Sequence, residues 1–166
     1  MIKYGEIGEL INNELINRIE NANNIVVYGM PKSGKTLIAE LIQKKLTQFT
    51  LIESDDYIKN GWLQGMYDMH DVIVANPKKY IAFGVQAGRL LRHGFRTNTF
   101  KPDFIIEIEC NEESIGYCYL RDGEFDKIKK SKIRNYIKFL QSIYNKYLIL
   151  AKDDLPEIIK LNTSFL

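Results

Sequence analysis

Apolar positions along the chain change their period several times, and each change marks an element. Between Ile7 and Ala22 the apolar residues Ile7, Ile11, Leu15, Ile19 and Ala22 recur every three or four positions, the spacing of an amphipathic helix. Asn23 and Asn24 can end it, because Asn tolerates the left-handed conformation found after helix ends. Ile25-Val26-Val27-Tyr28 then has no polar alternation, which suits a strand covered on both faces. Similar runs predict strands at Leu51-Ile52, Tyr80 to Phe83, Phe104 to Ile108 and Leu155 to Leu161. Helices are predicted from near Ser33 to about Leu46 and from Val85 to His93, the latter closed by Gly94. A long helix carries Ile133, Ile137, Leu140, Tyr144, Tyr147 and Ala151 on one side. Residues 58–78 read as irregular or partly helical, and 111–130 as a polar crossing. Alternating strands and helices predict an α/β protein with a five-stranded, mainly parallel sheet and helices on both faces.

Length and composition narrow the setting. At 166 residues, without repeats or a linker, the chain reads as one domain, 1–166. No run approaches the roughly 20 apolar residues that span a bilayer, so no membrane association is expected. The first 20 residues lack the basic-then-apolar pattern of a secretory signal, and a cytoplasmic setting is the expectation. Cys110 and Cys118 make neither a disulfide framework nor a zinc-site spacing. A formal net charge of +2 argues for no polyanionic partner, and no nucleic-acid-binding module is visible. Oligomeric state is unreadable.

The chemistry is concentrated in Gly29-Met30-Pro31-Lys32-Ser33-Gly34-Lys35-Thr36, which matches G-x-x-x-x-G-K-[ST] at every fixed position. Average composition gives that match in about 0.004% of windows, under about 1% for a chain of this length. The context also fits, since a buried-type strand precedes the loop and an amphipathic helix follows it. Glycine lets backbone N–H groups converge on phosphate oxygens, and the helix N-terminus aims its unpaired donors at the same anion. Lys35 is expected to bridge the β- and γ-phosphates and Thr36 to hold Mg²⁺. All eight residues are therefore assigned to binding a nucleoside triphosphate, ATP or alternatively GTP. No Asn-Lys-x-Asp guanine-reading motif occurs.

Beyond the loop, the chain resembles the small P-loop kinases of the nucleoside, nucleotide and uridine kinase group. The resemblance implies a three-layer P-loop NTPase fold and an ATP-dependent phosphotransferase. Leu51-Ile52-Glu53-Ser54-Asp55-Asp56-Tyr57 is similar to their strand followed by Asp-Asp and an aromatic. There an acid lies near the γ-phosphate, where it accepts the acceptor's proton or helps hold the metal. The resemblance assigns these roles to Asp55, with Asp56 in acceptor binding. Gly84-Val85-Gln86 with Arg89 and Arg92 resembles the segment that contacts the acceptor. Arg89, Arg92, His93 and Arg96 share one helical face, which suits an anionic acceptor and equally a solvated surface. Tyr119-Leu120-Arg121-Asp122 resembles the mobile lid, expected over 111–130, and implies that Arg121 neutralises charge on the transferred group.

Two departures qualify the resemblance. Relatives often end the third strand with an acid that supports Mg²⁺, where this chain has Phe83-Gly84. The lid carries only Arg121 and, farther on, Arg134. The leading expectation is phosphoryl transfer to a small acceptor, a nucleoside or nucleotide among the candidates. A polynucleotide-end or sugar-nucleotide kinase and a non-catalytic ATP-binding switch remain as alternatives. Trp62, Tyr67, Asp68 and the adjacent His70 and Asp71 fall where such kinases build the acceptor pocket. Packing explains the aromatics better than stacking on an acceptor, and His70 beside Asp71, which would suit a base with its orienter, reads more readily as a surface residue.

Overall fold

The computed structural model describes residues 4–75, 78–124, 126 and 130–165. Five strands form one sheet in the order β2-β3-β1-β4-β5: β1 (Asn24–Tyr28), β2 (Thr50–Glu53), β3 (Tyr80–Phe83), β4 (Phe104–Glu109) and β5 (Glu157–Asn162). Every neighbouring pair is parallel, so the predicted sheet is present and contains no antiparallel strand. The central β1 pairs Val27 with Phe83 on one side and with Ile106 on the other.

Alternate residues of these strands feed two cores, because successive side chains point to opposite faces. Ile25, Val27, Ile81, Phe83, Ile106 and Ile108 pack beneath α1 (Tyr4–Leu10), α2 (Asn13–Ile19) and α3 (Lys35–Lys45). On the other face Val26, Tyr28, Ala82 and Ile105 meet α4 (Trp62–Ala75), α5 (Ala87–Thr97), α6 (Glu112–Arg121) and α7 (Lys130–Leu150). Truncating a fully buried residue such as Ile42 to Ala would cost about 2–5 kcal/mol. Among the described residues no helix is long and apolar enough to cross a membrane.

Three local expectations are corrected, and the partly helical reading of residues 58–78 is made definite. The predicted first helix is two helices, because the Asn12 side chain accepts a hydrogen bond from the Leu15 N–H at 2.9 Å and starts α2 afresh, as an N-cap does. Its apolar stripe still enters one core. Residues 58–78 are ordered for most of their length, by a 3₁₀ helix over Ser54–Asn60 and by α4. The helix after β3 runs past Gly94 to Thr97 and ends at Asn98, whose φ of 52° is left-handed. Gly94 is there because a Cβ would lie 2.7 Å from that of Phe100. The stretch read as a polar crossing is largely α6, N-capped by Asn111 onto the Ser114 N–H at 2.9 Å. Ile115 and Tyr119 carry it into the core. Within the expected lid, residues 125 and 127–129 lie outside the described residues.

Candidate active site

β1 delivers the chain to the C-terminal edge of the sheet at Gly29, in a space that only glycine fits. A Cβ there would lie 2.7 Å from Ser33 Oγ and 3.1 Å from Ile108 Cβ. The loop then tightens through a turn in which Ser33 N–H donates to the Met30 carbonyl at 3.1 Å. Lys32 (φ 64°) and Gly34 (φ 92°) are both left-handed, a strain that a non-glycine residue such as Lys32 tolerates mainly at functional sites. Thr163 Oγ1 donates to the Ser33 carbonyl at 2.7 Å and so ties the loop to the segment after β5. Met30 is absorbed into the core beneath the loop.

The loop is built as an anion cradle. α3 begins at Lys35, which leaves the first N–H groups of the helix without intrahelical acceptors. Ser33 Oγ is buried with no hydrogen-bond partner. Lys35 is only 8% exposed, and its Nζ donates to the Met30 carbonyl at 3.2 Å. Burial lowers its pKa to about 8, with the Asp55 and Glu53 charges opposing that fall and Lys32 adding to it. A buried ammonium among unpartnered donors is electrostatically suited to phosphate oxygens.

The acids come from the end of β2. Asp55 and Asp56 open the 3₁₀ helix and are exposed. Glu53 is partly buried, and its pKa is raised by burial first and by the Asp55 and Asp56 charges next. In the sheet Glu53 pairs with Phe83, the position where relatives often carry an acid. Phe83 itself is a core residue, 2% exposed. Gly84 follows with φ 126°, and a Cβ on it would overlap Ser54 Oγ, itself buried without a partner.

Two cavities border the loop, and a third adjoins the second of them. The first, about 300 Å³, is bounded by Lys32, Gly34, Lys35, Thr36, Cys118 and Arg121. The second, about 500 Å³, lies across the loop and includes Pro31, Lys32, Asp55, Trp62, Tyr119 and Glu124. The third, about 420 Å³, includes Gln86, Arg89, Phe139 and Leu140. It shares Trp62, Val85 and Tyr136 with the second. Lys32 therefore borders both the Thr36 cavity and the Asp55 cavity.

The sequence-predicted residues divide accordingly. Lys35, Thr36 and Arg121 come together in one cavity, Asp55 lines the next, and Gln86 and Arg89 line the third. Gln86 is 3% exposed and uses both ends of its amide. Its Nε2 donates to the Trp62 carbonyl at 2.8 Å, and its Oε1 accepts from Arg89 Nη1 at 3.4 Å. Asp56 and Arg92 border none of these three cavities. Arg134 is bound to Glu112 on the surface, at 3.1 and 3.3 Å. His70 is buried, not at the surface, with Nε2 2.7 Å from Thr99 Oγ1 and Nδ1 3.3 Å from Asp71. Thr99 borders a cavity with Asn24 and Tyr80, where β1 and β3 begin, so this pair belongs to the opposite edge of the sheet.

Sequence reasoning missed the charged partners of Lys32. Its Nζ lies 2.9 Å from Asp122 and 2.7 Å from Glu124, and 5.5 Å from the Tyr119 ring centroid. Arg121 Nε also donates to Asp122, at 2.9 Å. Hydrogen bonds from Arg121 and then Lys32 hold the Asp122 carboxyl at about 2. Two carboxylates thus sit on the loop's outer cation, where a phosphate would compete with them. Nothing local in the sequence pairs position 32 with 122 and 124. Among the described residues no cluster of three His, Cys, Asp or Glu residues forms a metal site.

Comparison of the sequence with known protein families finds no match, and comparison with curated proteins finds no relative. The structure does resemble solved ones. A shikimate kinase from Acinetobacter baumannii in complex with shikimate superposes with a TM-score of 0.57 at 14% identity, covering 89% of this chain and 88% of that one. A shikimate kinase from Bacteroides thetaiotaomicron gives a TM-score of 0.51 at 15% identity, with 86% of each chain covered. Both are P-loop kinases but neither is a nucleoside kinase, so the uridine-kinase-like subgroup finds no support in them. At such identities the likeness speaks for architecture, and on that architecture this chain has the P-loop kinase fold.

Proposed function

We propose that the protein is an ATP-dependent phosphotransferase acting on a small hydroxylated acceptor. The observation that carries this reading is the position of Lys32, which borders two cavities at once. Lys35, Thr36 and Arg121 line one, and Asp55 lines the other. That arrangement lets a triphosphate on the loop present its γ-phosphoryl group toward an acceptor beside a carboxylate, and phosphoryl transfer depends mainly on such positioning and charge neutralisation.

In this reading the loop amides and Lys35 hold the β- and γ-phosphates, and the orphaned Ser33 hydroxyl supplies a further polar contact. Asp55 orients the acceptor hydroxyl and takes its proton as the new O–P bond forms and the bond from the γ-phosphorus to the β–γ bridging oxygen breaks, releasing ADP. Arg121 leaves Asp122 to neutralise the transferred group. Thr36 and Asp55 would hold Mg²⁺, which would supply positive charge to offset that of the phosphates. One hydroxyl and one carboxylate are the hard oxygen donors that such an ion takes. Shikimate, the ligand of one structural neighbour, joins nucleosides and nucleotides as a candidate acceptor, and no observation favours a polynucleotide end.

The test is transfer from γ-labelled ATP with Mg²⁺ to shikimate, pooled nucleosides, nucleotides, sugars and oligonucleotides, beside Lys35→Ala and Asp55→Asn. Label in one acceptor, lost in both variants, is expected. ATP binding without transfer or hydrolysis across the panel would replace the enzyme by a nucleotide-binding switch.

A further inference from the structure

Resting on that reading, we infer that the acceptor is an aromatic-ringed hydroxy acid. Its ring would lie against Trp62, Tyr136 and Phe139, and its acid group would sit on Arg89. The shape of the site is the first ground. The Asp55 cavity and the Arg89 cavity share Trp62, Val85 and Tyr136, so they form one trough with a carboxylate at one end and a guanidinium at the other. Each part alone, at about 500 and 420 Å³, falls within the range of about 300–1,000 Å³ that encloses drug-sized ligands. The site therefore has room for more than a compact polyol.

The walls are the second ground. Trp62 is 52% exposed, Tyr136 37% and Phe139 49%. The three part-exposed aromatic side chains line one trough, with charged residues at its rim. Aromatic faces favour flat rings through offset stacking and edge contacts.

The third ground is Arg89. It is half-buried, its guanidinium lies 5.7 Å from the Phe139 ring centroid, and its Nη1 donates only to the neutral Gln86 amide. Among the described residues no carboxylate pairs with it. A partly desolvated guanidinium with unspent donors favours an oxyanion, which it can bind by two parallel hydrogen bonds. Gln86, fixed at once to Trp62 and Arg89, positions the aromatic wall and the cation relative to each other. Orientation follows from charge. Asp55, Glu124 and Asp126 line the far end. Of the two lysines there, Lys32 is already paired with carboxylates and Lys132 donates to the Asp126 carbonyl at 3.2 Å. An acid group is thus favoured at Arg89, which leaves the hydroxyl at Asp55.

Trp62 is the chain's single tryptophan and borders both parts of the trough, so its fluorescence reports occupancy directly. Three probes separate the contributions: 4-(hydroxymethyl)benzoate, the neutral 1,4-benzenedimethanol, and shikimate, an acid without an aromatic ring. The expected result is quenching by 4-(hydroxymethyl)benzoate at concentrations about tenfold below those of the other two, the scale of one charge-assisted contact. Arg89→Gln should erase its advantage over the diol, and Phe139→Ala should erase its advantage over shikimate. Thermal melts of both variants check that each is folded. Equal or stronger quenching by shikimate or by the diol would overturn the inference, as would an advantage that survives Arg89→Gln. Binding of fluorescently labelled ATP is measured separately. Its failure would remove the kinase reading while leaving the trough result legible.

Discussion

Lys35 offers the sharpest test of the affinity for phosphate proposed for the loop. Its pKa falls from the ordinary 10.5 to about 8 in the fold, chiefly through burial. The unfolded chain therefore holds more protons than the folded one between these values, and stability rises with pH across that window. The contribution is complete above 10.5 and is lost as pH falls toward 8. At about 1.4 kcal/mol per pH unit, the charged ammonium is about 3 kcal/mol less favourable in the fold than in the unfolded chain. Lys35→Met keeps an apolar stem of similar reach and removes the charge, but it leaves the Met30 carbonyl without its 3.2 Å donor, at a cost of about 1–3 kcal/mol. The net expectation at pH 7 is a variant between equal stability and about 2 kcal/mol more stable than the wild type. Urea unfolding from pH 7 to 10.5 checks this, because other titrating groups are common to both chains and cancel in the difference. The wild type should gain on the variant by up to about 3 kcal/mol as pH rises, and only the wild type should be stabilised by added ATP. Parallel pH curves would refute the argument, and so would a variant more than about 2 kcal/mol less stable at pH 7.

Three further outcomes follow from particular contacts. Gly84→Ala combines a φ of 126° with overlap onto Ser54, and should cost about 2 kcal/mol or more in urea unfolding. A loss below about 0.5 kcal/mol would mean the turn relaxes freely. Asp122→Asn with Glu124→Gln frees Lys32 and removes negative charge beside the loop, so the Kd for ATP should fall and its salt dependence should steepen. Unchanged or weaker ATP binding in a calorimetric titration would show that the two carboxylates do not compete with phosphate. His93 is held below its ordinary 6.5 by burial and then by His70, with Asp71 opposing. The stability this confers is present above 6.5 and is lost as pH falls through the folded value. Between pH 7 and 5 the wild type should lose more stability than His93→Phe in thermal melts, and equal losses would contradict the assignment.

What the sequence made legible was whatever short-range sterics decide. The phosphate loop was readable because its glycines answer local demands, and the strands because parallel pairing leaves unbroken apolar runs such as Ile25 to Tyr28. Gly94 was misread because a glycine that ends a helix and one that lets Phe100 approach look alike until the tertiary contact is known. The split at Asn12 left its capping residue in plain view, but the unbroken apolar spacing on either side outweighed it. The trough proposed for the acceptor was less accessible still. Its walls come from Trp62, Val85, Gln86, Arg89, Tyr136 and Phe139, on three helices and a turn, and an exposed aromatic has no signature that separates lining from packing. Phe83 shows the same limit in the electrostatics. Counted strand by strand, the third strand lacks an acid. In the sheet, Glu53 is its direct neighbour on β2, and the Glu53 charge acts on Lys35. The field at the phosphate site depends on distance, not on which strand supplies the carboxylate. An acid absent from one strand is therefore no measure of the charge the site presents, and only the register between strands could show it.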